Sequence, residues 1–62
     1  MTIYKYYNAG KQLGVIGIPI ENIKGSDGEY TFILSGNRNW IFTKDLKNSR
    51  EEALKSDIAN FL

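Results

Sequence analysis

The sequence predicts a small β-rich α+β domain. Its layout is a twisted antiparallel meander of four or five short strands, as an SH3-like barrel or an open sheet, followed by one C-terminal helix. Three observations carry this expectation. The run 30–43, YTFILSGNRNWIFT, sets aromatic and β-branched residues on either side of a Gly/Asn turn signal, and both residue types fit a pleated, half-buried surface. Asn8-Ala9-Gly10 and Gly25-Ser26-Asp27-Gly28 punctuate the first half of the chain with turn chemistry. After Ser49 the apolar period changes, and Ala53, Leu54, Ile58, Phe61 and Leu62 recur at helical spacing.

Taken in order, the elements are strands over about 2–7, 11–18, 29–35 and 39–43 and a helix over about 50–61, all in a single domain, 1–62. Thr2–Tyr7 is the first strand. The Asn8-Ala9-Gly10 turn folds the second strand back on it, pairing Tyr7 with Lys11, Lys5 with Leu13 and Ile3 with Val15. Tyr4 then faces Gly14, where its ring covers bare backbone. Gly14 and Gly17 mark a coiled strand, and Pro19 ends its pairing or puts it at an edge because it has no N–H to donate. Residues 18–23 read equally as a kinked edge strand or a single helical turn.

In the central hairpin, a three-residue loop of Gly36, Asn37 and Arg38 pairs Leu34 with Trp40 and Phe32 with Phe42. Tyr30, Phe32, Leu34, Trp40 and Phe42 then share one face, and Thr31, Ile33, Ser35, Asn39, Ile41 and Thr43 share the other, since side chains alternate along a strand. The aromatic face is expected to be core, with the Thr/Ile face outside. Ser49-Arg50-Glu51-Glu52 matches a capping box. A helix of about thirteen residues is marginal alone, so its Leu54/Ile58/Phe61 stripe is expected to dock on the sheet.

Composition narrows function mainly by exclusion. The 62 residues contain neither Cys nor His, so the usual near-neutral base, thiolate nucleophile and common metal ligands are missing. Glu21, Asp27 and Glu29 lie close in sequence, but turns and strand ends attract solvated acids. Neither a calcium loop nor a phosphate loop is present. The chain is therefore expected to be non-enzymatic, with no catalytic residues, no cofactor and no metal. No apolar run approaches the ~18 residues of a membrane span, and no signal-peptide core is visible, so no membrane association and a cytoplasmic location are expected. Frequent Ile and Asn are a compositional trait of AT-rich genomes, those of phages among them.

Two binding readings follow. Four Tyr, three Phe and one Trp are more rings than a core this small easily buries, and Tyr tolerates one wet end. The first reading is a small adaptor or inhibitor that binds another protein, or itself as a homodimer, by occupying a surface. The alternative is a weak nucleic-acid-binding small β-barrel, with rings stacking on bases and cations following phosphates. A formal charge of +1 argues against broad polyanion binding. The candidate binding residues are Tyr4, Lys5, Tyr6, Tyr7, Lys11, Ile33, Arg38, Trp40 and Ile41. In the order and length of its elements, the chain is similar to the small basic chromatin proteins of archaea, without their dense lysine or any diagnostic motif of theirs.

Overall fold

A computed structural model describes residues 3–34 and 39–62. Among these residues five antiparallel strands form two open sheets. β1 (Tyr4–Asn8) pairs with β2 (Val15–Pro19), and β3 (Ile23–Ser26), β4 (Tyr30–Ile33) and β5 (Trp40–Phe42) form a meander with β4 central. Short 3-10 turns at Ile20–Asn22 and Thr43–Asp45 connect elements, and one helix, α1 (Arg50–Lys55), lies near the end. Neither sheet closes on itself among the described residues. One core joins the two sheets: Tyr7 and Ile18 from the first, Ile33 and Ile41 from the second, and Ala59 from the C-terminal tail.

The first hairpin forms in a different register from the one expected. Tyr7 pairs with Ile16, Lys5 with Ile18 and Tyr6 with Gly17. The Asn8-Ala9-Gly10 turn does begin as its chemistry requires, with Asn8 Oδ1 accepting the Gly10 N–H at 2.9 Å. The chain then makes one more turn. Gly14 N–H donates to Gly10 O and Ala9 N–H to Gly14 O, both at 2.7 Å, with left-handed backbone at Gly10 and Gly14. Lys11 and Leu13 thereby become exposed loop residues, while Tyr7, Ile16 and Ile18 turn inward together. A ring does cover a strand glycine, but the pair is Tyr6 with Gly17. A Cβ on Gly17 would sit 3.1 Å from the Tyr6 ring.

Pro19 closes β2 where its missing N–H is harmless. Ile20 N–H donates to Ile3 O and Ala9 N–H to Gly14 O, and hydrogen-bonded pairs alternate along an antiparallel ladder. Ile16 and Ile18 therefore bond to β1, and Val15, Gly17 and Pro19 turn their backbone groups away from it. A 3-10 turn follows Pro19, and then β3, a strand absent from the expected set. Gly25 and Ser26 belong to β3, so the turn narrows to Asp27–Glu29. There Asp27 Oδ1 accepts the N–H of Tyr30 at 2.8 Å and of Glu29 at 3.2 Å.

The central hairpin keeps the expected sorting of side chains and reverses their roles. Phe32 pairs with Trp40, Thr31 with Ile41 and Tyr30 with Phe42. This is two residues from the expected register, and an even slip leaves every side chain on its face. The loop residues 36–38 lie outside the described residues. The Thr/Ile face is the core: Ile33 and Ile41 are both 0% exposed, and Thr31 is buried beside them. The aromatic face is turned to the outside. β-branched side chains suit the thin space between two small sheets, whereas four rings would overfill it.

The helix is also shorter than its apolar period implies. Ser49 caps it as expected, accepting the Glu52 N–H at 3.2 Å. The reciprocal Glu52 carboxylate, however, accepts from Asn48 N–H instead of Ser49. At Ser56 the hydroxyl donates back to Ala53 O at 2.8 Å, a local bond that competes with helix continuation. Residues 57–62 then run extended. Ala59 N–H reaches Asn8 O at 2.8 Å, Phe42 N–H reaches Asn60 O at 3.0 Å, and Leu62 N–H reaches Trp40 O at 2.8 Å. The buried Asp45 carboxylate accepts the Asn60 N–H at 2.9 Å. Ala59 and Phe61 point inward at strand spacing, and Phe61 meets Tyr7 edge-on at 5.5 Å. Leu54 and Ile58, expected as docking residues, are exposed, and α1 docks through Ala53.

Candidate functional site

The outer face of β4 and β5 is built by alternation alone. With Thr31, Ile33 and Ile41 inward, Tyr30, Phe32, Trp40 and Phe42 must project outward. They pair across the strands as Phe32–Trp40, edge-on at 4.9 Å, and Tyr30–Phe42, tilted at 4.5 Å. Each ring thus covers part of its neighbour, a favoured geometry for such pairs. The tail extends this face. Because Ile41 bridges to Phe61, Leu62 lies beside Trp40 and is exposed. Leu34 continues the face at the other end of β4 and is exposed too, leaving Trp40, itself 38% exposed, between two leucines. The Lys44 ammonium sits 5.7 Å from the centre of the Phe42 ring, a cation–π contact at the rim.

The expected binding residues are not brought together. Tyr4 and Tyr6 stack at 6.3 Å on the outer side of the first sheet, over Gly17. Lys5 lies on the opposite side of β1, where its ammonium donates to Asn48 Oδ1. Lys11 is in the 9–14 loop. Tyr7, Ile33 and Ile41 are buried core residues, so their expected exposure is reversed. Trp40 is on the outer face of the second sheet, and Arg38 lies outside the described residues. The two groups of outward rings belong to different sheets that turn their inner faces to one core.

No family model matches the chain, and no curated protein or solved structure shows significant similarity to it. Sequence reasoning placed Tyr30, Phe32, Leu34 and Phe42 in the core and left Leu62 on a helix. One signal pointed the other way: eight rings are too many for a core of this size, and the four on β4 and β5 form the largest co-facial group.

Among the described residues the concave features are open to solvent. Between the sheets, Lys5, Ile20, Ile23, Ser26, Thr31, Thr43 and Leu46 line an open cleft of about 220 Å³. Its hydroxyls bond mainly to one another: Thr31 Oγ1 lies 2.7 Å from Thr43 Oγ1 and donates to Ser26 Oγ at 3.3 Å. Asp27 is engaged by its own turn. Among the described residues no three acidic side chains gather as a metal site. No helix there is long and apolar enough to cross a membrane.

Proposed function

We propose that this protein is a small non-catalytic interaction module that docks a partner protein on the outer face of β4 and β5. The layout is read as an SH3-like one left open between its two sheets. The observation that supports the reading is the Trp40–Phe32 pair standing on the outer surface between exposed Leu34 and Leu62. A tryptophan braced edge-on by a neighbouring ring, flanked by aliphatic side chains, matches the anchor of an interface. Lys44, over the Phe42 ring, supplies a cation at the rim, which favours a partner carrying an apolar anchor with an acidic residue beside it.

Affinity capture tests this with the wild type, Trp40→Ser, Leu34→Ser, and Leu54→Ser as a distant control. The partner is expected to be lost with Trp40→Ser, by roughly thirtyfold in affinity for a central anchor of ~2 kcal/mol, and kept with Leu54→Ser. Equal capture by all four proteins would overturn the reading. Trp40 is the chain's one tryptophan, so its emission reports directly on this surface. Quenching by a single-stranded oligonucleotide that disappears as salt rises would move the assignment to nucleic acid.

A further inference from the structure

The two sheets have four outer edges, and three of them carry a recognisable guard. The edge of β1 is paired by Lys47, whose N–H and C=O both bond to Tyr6, at 2.7 and 2.9 Å. The edge of β5 is paired by the tail through the Ile41–Phe61 bridge. Among the described residues the edge of β3 has no such partner, but it carries exposed Lys24 and a register irregularity between Ile23 and Gly25. A lysine and a bulge are the devices by which sheet edges resist pairing. The edge of β2 has neither, although α1 comes near its Val15 end, where Arg50, Glu51 and Leu54 line one hollow with Gly14 and Val15. Val15-Ile16-Gly17-Ile18-Pro19 contains no charge, and no described residue bonds to its outer side.

We infer that the edge of β2 left open by the described residues is a self-pairing surface, joining two copies of this chain through an antiparallel β2–β2 contact centred on Gly17. The backbone specifies an extended strand as occupant, because Val15 and Gly17 present N–H and C=O groups outward and Pro19 presents its C=O. A second copy satisfies these groups in a two-fold arrangement. Gly17 of each copy bonds to Gly17 of the other, and each Val15 N–H meets the other copy's Pro19 carbonyl. The missing Pro19 N–H removes one donor at each end and stops the pairing there. The strand is close to a palindrome about Gly17, with Ile on both sides and a small apolar residue at each end. Like therefore meets like on each face, and no charges are opposed. Identical patches meeting across a two-fold axis are the usual way two copies associate. Glycine at the axis also leaves room for the Tyr4–Tyr6 stacks of both copies on the outer face.

Amide hydrogen exchange on the wild-type protein tests this directly. Ile16 and Ile18 amides, bonded within the first sheet, are expected to be protected at every concentration. The Gly17 and Val15 amides are expected to exchange freely in dilute protein and to slow roughly tenfold as its concentration is raised about a hundredfold. Val15→Lys, which gives β2 the guard that β3 already has, should abolish that concentration dependence and leave a monomer by sedimentation. Trp40→Ser should leave the dependence intact, which separates this surface from the partner face. Gly17 exchange that is fast, or slow, at all concentrations would overturn the proposal. The wild-type pattern decides the matter even if Val15→Lys fails to fold.

Discussion

The two hairpins respond differently to the same kind of register change, and the difference separates local from tertiary control. In the β4–β5 hairpin the strands sit two residues from the register their turn suggests. An even slip preserves which side chains share a face, so the aromatic set and the Thr/Ile set survive intact and only their inside and outside are exchanged. In the β1–β2 hairpin the register moves by five residues, an odd number, and the residue sets themselves change. Val15 leaves the face of Tyr7, and Ile16 and Ile18 replace it. Strand alternation is robust to an even error and fragile to an odd one. Turn signals such as Asn8-Ala9-Gly10 locate a reversal well and count its residues poorly.

Substitutions can break or sharpen this comparison. The largest effect should come from the two faces of β5. Ile41→Ala removes a fully buried side chain and should lower unfolding free energy by about 2–5 kcal/mol in denaturant titration. Trp40→Ala, on the outward face, should lower it by about 1 kcal/mol, the scale of a lost ring pair. The reverse order would restore the aromatic core. In the first hairpin, Gly14→Ala should cost about 1–2 kcal/mol from left-handed backbone alone, because open space surrounds the position and φ is +72°. A neutral Gly14→Ala would mean that the six-residue loop is not the one formed.

At the helix the expected effects are smaller. Ser49→Ala should lose about 1 kcal/mol by removing the bond to Glu52 N–H. Leu54→Ala should stay within about 0.5 kcal/mol, since Leu54 is 69% exposed. A loss of several kcal/mol there would mean that the amphipathic stripe docks after all, and that the extended tail is not its competitor.

Much of the local construction was legible in the residues. The Asp27-Gly28 turn, the Ser49 cap and the Pro19 strand end all follow from short-range chemistry, whereas the ring expected over Gly14 stands over Gly17 instead. The candidate surface was half legible, because the residues that share a face with Trp40 could be identified, but not the side on which they would stand. The end of the helix was misread for a similar reason. Residues 57–62 satisfy both a helical stripe of Leu54, Ile58 and Phe61 and a strand alternation of Ala59 and Phe61. The choice between them lies with Asn8, Trp40, Phe42 and Asp45, which supply the bonding partners of the tail.

By itself, then, the sequence determined where the chain reverses, which side chains of the central hairpin travel together and how the helix begins, since each depends on neighbours a few residues apart. Tertiary structure decided which face of the central hairpin is inside, how far the first hairpin is offset and where the helix stops. Those outcomes depend on the space between the two sheets and on backbone groups left waiting for partners, and both exist only once distant segments have met.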